Sequence, residues 1–242
     1  MGTGGSKASP AVVISLFDYT CLSLAPWQAR GYEVHAYDRR HPKGHVVTAS
    51  GVHLHGVDFN TPGALDAVVA EHAGREVVFA MASPPCNDLS RAGARYWEVK
   101  RQANPHFQDD AAALVQHVDA TLAQLGCPYY IENPASSSLR RLWRPPDHVF
   151  EPFWFGAYLD AEDAHPMYPN NIPYQDAYTK RTGLPRRQQR VELQQVHVLD
   201  VQPITAAQEG RVRQFTTVPL PRLASVQSGA AGTLPRHAPS HC

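Results

Sequence analysis

The sequence predicts an α/β protein built on a doubly wound, mostly parallel sheet. Short continuous apolar runs such as Val77-Val78-Phe79-Ala80-Met81-Ala82 and Cys127-Pro128-Tyr129-Tyr130-Ile131 read as strands buried on both faces. Helical signals separate such runs, as a parallel sheet requires. Asp18, Asp38 and Asp58 stand at intervals of 20 residues, the repeat that successive βαβ units impose.

In chain order, strands are expected over 11–17, 32–38, 52–57, 77–82 and 127–132, with helices over roughly 22–30, 62–72 and 109–125. Thr61-Pro62 gives the second helix its start, with proline at the first helical position. Asp109 and Asp110 place negative charge in the first turn of the third, where the helix dipole favours it. Beyond residue 143, Pro145, Pro146, Pro152, Pro166, Pro169 and Pro173 forbid long helices, so 143–182 reads as an extended cover packed on the sheet. The chain therefore divides into a Gly/Ser-rich leader (1–10), a catalytic domain (11–182) and a basic, poorly ordered tail (183–242). From Arg186 to Cys242 there are seven arginines, no lysine and three acidic residues. Nonspecific nucleic-acid binding and degeneration of an ordinary carboxyl-terminal region both fit that composition.

With 242 residues, 43% of them hydrophobic, the chain can bury one sizeable core. Its formal net charge is zero, so a polyanionic partner would have to meet a local cluster of cations. Arg91, Arg95, Lys100 and Arg101, interleaved with Tyr96 and Trp97, form one. A solvated amphipathic helix is the plainer reading of that stretch. The four cysteines show no CxxC spacing, which argues against a zinc ribbon or disulfide framework. No apolar run approaches the ~20 residues of a membrane span. No secretory leader opens the chain, so no membrane association and a cytoplasmic setting with reduced thiols are expected. Met1-Gly2-Thr3-Gly4-Gly5-Ser6 formally matches an acylation pattern, which a flexible leader explains as well. His41, His45, His53 and His55 invite a metal reading. Without a second ligand pair nearby in sequence they are taken as solvated or loop-packing, and no metal is expected.

Two short motifs carry the chemistry. Ser83-Pro84-Pro85-Cys86 and, 46 positions after the cysteine, Glu132-Asn133-Pro134 each follow a predicted strand, where an open α/β sheet presents its ligand crevice. Pro84 and Pro85 fix φ and remove two backbone donors, stiffening the turn that aims Cys86. A free thiol is only about 3% ionised at neutral pH, so the site must activate it. A thiol attacking carbon 6 of a pyrimidine, with a carboxyl at ring nitrogen 3 to relieve the developing charge, makes carbon 5 nucleophilic.

These residues resemble the DNA cytosine-5 methyltransferases, above all compact phage-type members in which the usual Glu-Asn-Val reads Glu-Asn-Pro. The resemblance begins at Val12-Val13-Ile14-Ser15-Leu16-Phe17-Asp18-Tyr19-Thr20, similar to the family's first strand and cofactor loop. It runs on through Phe150–Leu159 and His165–Pro169 to Asp176–Thr182, so it spans about residues 12–182. It implies a Rossmann-like methyltransferase fold, S-adenosyl-L-methionine as cofactor and cytosine in DNA as substrate. Cys86 would be the nucleophile and Glu132 the ring-nitrogen partner, with Asn133, Pro84 and Pro85 completing the catalytic set. The cofactor would be held by Phe17, Asp18, Tyr19, Thr20, Ser83, Asp38 at the ribose and Asp58 beside the adenine. Arg91, Arg95, Lys100 and Arg101 would grip nucleic acid while the target base is turned out of the helix. A monomer in a bacterial or phage-infected cytosol is the implied setting.

Five departures stand against the pattern. Cys21 replaces a cofactor-loop glycine and Asn87 replaces a glutamine after the nucleophile. Neither a Gln-x-Arg-x-Arg nor a closing Gly-Asn-Ser motif follows, and no stretch has the size of a target-recognition domain. Sequence specificity would then come from elsewhere, such as a separate partner, or be absent. The residues leave other classes open: an exocyclic amino methyltransferase, whose Ser-Pro-Pro-aromatic signature differs at one position, a catalytically impaired cofactor-binding or DNA-binding remnant, or the same pyrimidine chemistry on RNA or a free nucleotide.

Overall fold

The computed structural model describes residues 9–155, 159, 163–172, 174 and 180–184. A six-stranded sheet organises them, built from β1 (Val12–Leu16), β2 (Glu33–Tyr37), β3 (Gly44–Val47), β4 (Val52–Gly56), β5 (Val77–Ala82) and β6 (Tyr129–Ile131). Its order is β3-β4-β2-β1-β5-β6, with every pairing parallel except the β3–β4 hairpin. β1 is buried throughout, which explains its unbroken Val-Val-Ile-Ser-Leu composition.

Alternation along the strands feeds two cores. Val12, Ile14 and Leu16 face one side with Ala80, Ala82 and Ile131, packed under α2 (Ala64–Glu71) and α4 (Phe107–Gln124) through Leu65, Val68, Val115, Val118 and Leu122. Val13, Val34, Ala36, Phe79 and Met81 face the other side, covered by Leu24 and Trp27. Trp27 stacks on Phe79 with ring centroids 5.0 Å apart. Helical elements thus lie on both faces of a mostly parallel sheet, as the sequence leads one to expect.

The corrections are local. In place of one helix over 22–30 there is a 3-10 turn (Leu22–Leu24) and a single turn of α1 (Ala25–Gln28), with Pro26 in its first turn and Gly31 (φ 87°) closing the segment. α2 starts two residues after Pro62, because Gly63 takes a left-handed φ of 78° and delays the helix. β6 is shorter than expected because Pro128 has no N–H to give the ladder, although its carbonyl accepts from Ala80 N at 3.1 Å. β3 has no counterpart in the sequence reading: all four of its residues are exposed, so no apolar period marks it. A 3-10 turn (Arg91–Tyr96) and α3 (Trp97–Ala103) fill the segment after β5, and α3 ends at Asn104, held extended before Pro105.

The expected extended cover over 143–182 is partly a second sheet. β7 (Asn133–Pro134), β9 (Thr182–Leu184) and β8 (His148–Phe150) pair antiparallel in the order β7-β9-β8 directly after β6. α5 (Leu139–Leu142) lies between β7 and β8 in sequence. The leader up to residue 8, Gly156–Tyr158, Asp176–Thr179 and the tail after Leu184 lie outside the described residues. No described helix is long and apolar enough to cross a membrane.

Candidate active site

Strand order reverses between β1 and β5: one crossover runs from β1 to β2, and the later strands lie on the opposite side. Carboxyl ends flanking such a reversal splay their loops apart and leave a crevice. Backbone bonds stitch three strand tips together there. Ser83 N donates to Leu16 O (3.1 Å) and Glu132 N donates to Ala82 O (2.7 Å). Both predicted motifs therefore sit on neighbouring tips, beside the loop that follows β1.

That loop is held by Asp18. Its carboxylate accepts from Ser15 Oγ (2.9 Å), Thr20 Oγ1 (3.2 Å), Cys21 N (2.8 Å) and Ser23 Oγ (2.5 Å). Asp18 and Thr20 consequently shape the loop. Tyr19 packs under the Arg40 guanidinium, 4.1 Å from its ring centroid, and beside His41, whose Nε2 donates to Asp18 O at 2.9 Å. Phe17 (φ 60°) and Cys21 (φ 58°) are the two described non-glycine residues in the left-handed region. A bulky residue held there is strained by about 1–3 kcal/mol. Cys21 thus adopts the backbone that glycine would take at no cost, which answers one departure from the family pattern. Burial, with Asp18 and Asp38 nearby, pushes its thiol up to about 12.

At the β2 tip, Asp38 is buried and uses Oδ1 for Arg40 N (2.8 Å) and Arg40 Nε (3.1 Å), while Oδ2 takes no hydrogen bond among the described residues. Asp58, after β4, accepts from Asn60 N (3.0 Å) and Asn60 Nδ2 (2.8 Å). These bonds, the backbone one first, hold its carboxyl below the usual range. Phe17 lies against Phe59 with centroids 4.7 Å apart. An aromatic pair, a carboxylate oxygen left open at the β2 tip and the exposed Ser83 suit a nucleoside-bearing cofactor.

Cys86 is fully buried, between exposed Pro85 and a tight turn in which Leu89 N and Ser90 N both donate to its carbonyl (2.9 and 2.8 Å). Ser90 Oγ lies 3.5 Å from its sulfur, a partner the sequence reading missed; spacing four residues along a helical turn was the available signal. Cys86 is disulfide-bonded in this structure. That departs from the expected reduced thiols, and attack by sulfur requires reduction first.

Glu132 is largely buried, with Lys180 Nζ 3.1 Å from Oε1 at an angle outside a hydrogen bond. Asn133 is 2% exposed, and neither its Nδ2 nor its Oδ1 has a hydrogen-bond partner among the described residues. An amide buried with every polar atom unpaired costs several kcal/mol unless something satisfies it. Asn133 borders a recess shared with Ser137, Leu139, Arg140, Arg144 and Gly183. Lys180 lies two residues before β9, 48 residues away in sequence, so no local pattern announced it.

The basic segment is exposed, and α3 buries none of its residues. Lys100 pairs with Asp88 (2.5 Å) and Arg101 with Glu98 (2.8 Å), whereas Arg91 and Arg95 form no ion pair among the described residues. Arg95 covers the Tyr96 ring at 4.6 Å. Trp97 is engaged within the chain: its indole N–H donates to Asn87 O at 3.0 Å and its ring leans on Phe107. Tyr96, 52% exposed, and Val99, 69% exposed, are the apolar groups offered to a partner.

No protein-family model matches the chain, and no curated protein is significantly similar to it.

Proposed function

We propose that this chain transfers the methyl group of S-adenosyl-L-methionine to carbon 5 of cytosine in DNA through a transient Cys86 adduct at carbon 6. The observation that carries the reading is the stitching of three strand tips, Leu16 to Ser83 and Ala82 to Glu132, which draws the β1 loop, Cys86 and the Glu132-Asn133 pair to one end of the sheet. The unpaired polar atoms of Asn133 support a hydrogen-bonding ligand there. The cofactor supplies an electrophilic methyl group on a sulfonium when bound, with Phe17, Asp38 and Asp58 as its holders. Cys86, reduced and deprotonated, adds to carbon 6. Glu132 in its acid form protonates ring nitrogen 3 as the ring electrons move toward carbon 5. After methylation, solvent base takes the carbon 5 proton, the Cys86 thiolate departs, and ring nitrogen 3 returns its proton to Glu132, which restores the neutral aromatic ring. Arg91 and Arg95, with Lys100 and Arg101 once released from their pairs, contact phosphates.

The test uses DNA carrying 5-fluorocytosine, cofactor and reductant. A denaturant-stable complex is expected with the native chain and none with Cys86→Ser. Methyl transfer retained by Cys86→Ser would reject carbon 5 chemistry in favour of an exocyclic amine. Cofactor binding without any incorporation would identify an inactive remnant. Bisulfite sequencing of DNA from cells expressing both versions reads the target sequence.

A further inference from the structure

The β2–β4 side of the sheet carries a second cluster that the methyl-transfer reading does not use. Parallel register pairs His35 with His53 and Tyr37 with His55, and the antiparallel hairpin sets His45 opposite His55. α2 and the residues after it add Glu71, His72 and Arg75. The chain of contacts runs Glu33 Oε1 to His35 Nε2 (2.8 Å), His35 Nδ1 to His55 Nε2 (3.0 Å) and His55 Nδ1 to Glu71 Oε1 (3.5 Å). The ligand atoms of His35, His55 and Glu71 lie within 4.8 Å of one another.

Protons do not suffice for this chain. Three contacts joining two imidazoles between two carboxylates need three protons, and two neutral imidazoles hold two. Arg75 already serves Glu33 from the other side, its Nη1 and Nη2 donating at 3.1 and 3.0 Å to the two carboxylate oxygens. The contact left without a proton is the longest one, His55 to Glu71.

We propose that a divalent ion of the zinc class binds between His35 Nδ1 and His55 Nε2. It takes the place of the missing proton: His35 Nε2–H then donates to Glu33 and His55 Nδ1–H to Glu71, the outer carboxylates that orient metal-bound imidazoles. Two nitrogens on a tetrahedral ion at about 2.05 Å stand about 3.3 Å apart, so the 3.0 Å separation needs only a small opening. His72 offers a further lone pair. Tyr37 OH donates to Glu71 Oε2 (2.8 Å) and accepts from His72 Nε2 (2.8 Å), which leaves His72 Nδ1 unprotonated, buried and without a partner among the described residues. The sequence pointed away from metal because His35, Glu33, Glu71 and His72 reach the site from β2 and α2. His41 lies apart, bonded to the β1 loop.

Cobalt(II) titrated into the full chain, prepared without a polyhistidine tag, is the test. One ion per chain with visible ligand-field absorption is expected, displaced by zinc. His55→Gln should abolish the signal, Glu71→Gln should weaken binding 10-fold to 100-fold, and His117→Gln on the exposed face of α4 should change nothing. If His55→Gln fails to fold by circular dichroism, the Glu71→Gln shift decides. Absence of saturable binding overturns the proposal. So does a Glu71→Gln chain that binds like the native one, or binding that is lost with His45→Gln and kept with His55→Gln, since the exposed His45–His53 pair (3.0 Å) would then be the site.

Discussion

Gly93→Ala tests whether the turn behind Cys86 is as tightly folded on itself as the structure has it. A methyl at 93 would overlap Asn87 O and lie 2.6 Å from its carbonyl carbon and 2.9 Å from its Cα. Carbon atoms rest about 3.5–4.0 Å apart, so one backbone must retreat by about 1 Å. Asn87 O is also the acceptor for Trp97 Nε1 (3.0 Å), and Gly93 N is tied to Ser90 O (3.1 Å). Strain of about 1–3 kcal/mol and the loss of one or two hydrogen bonds at about 1 kcal/mol each bring the local cost to roughly 2–5 kcal/mol. Only Gly93 of the 91–103 stretch is buried, so this segment can open without disturbing the sheet. Hydrogen exchange read by mass spectrometry should therefore speed up by at least an order of magnitude over 87–97 and stay unchanged over β1 and α4. Trapping on 5-fluorocytosine DNA should fall in parallel. Unaltered exchange over 87–97 would refute the packing argument, whatever happened to activity.

Other outcomes follow from the same structure. Cys21→Gly should leave stability unchanged or raise it by up to about 1 kcal/mol in urea unfolding, since relief at φ 58° offsets glycine's greater chain entropy. Cys21→Val, branched at Cβ, should cost at least about 1 kcal/mol. Burial raises the Cys21 and Cys127 thiols from 9.0 to about 12. The folded state therefore keeps those protons longer than the unfolded chain, and their contribution, whole below pH 9, is lost as pH climbs from 9 to 12. Partial exposure limits the loss to at most about 1 kcal/mol each at pH 10, and Cys127→Ala should flatten that alkaline slope. Glu132→Gln should slow methyl transfer about 10²-fold to 10⁴-fold with the fold intact by circular dichroism.

What the sequence disclosed depended on how local each signal was. β1, β2, β4 and β5 were legible to within a residue at each end, β1 and β5 because buried parallel strands favour near-continuous apolar runs and β2 and β4 because their apolar residues recur between turn signals. β3 was not, since an exposed edge strand of four residues owes its existence to the hairpin partner at His53–Gly56. The positions of Ser83–Cys86 and Glu132–Pro134 could be read because each stretch follows a strand of the main sheet. The histidine cluster was half visible. His53 and His55 alternate along β4 as Glu33, His35 and Tyr37 do along β2, and period 2 puts each set on one face; that the two faces coincide depends on a register no single strand encodes.

The unpaired atoms point the same way. Buried side-chain atoms without hydrogen bonds occur, among the described residues, at His72, Thr121, Glu132, Asn133, Arg144 and Glu151. Four of these six residues lie between 132 and 151, downstream of β6. A folded chain stabilised by only about 5–15 kcal/mol does not carry several such orphans by accident. If an aromatic base bearing donors and acceptors seats there, Asn133→Leu should stabilise the unliganded protein while destroying nucleotide binding, because removing an unpaired buried amide relieves its desolvation. A variant that loses stability along with binding would mean that Asn133 holds the fold together, and the case for a ligand at that strand tip would lose its strongest support.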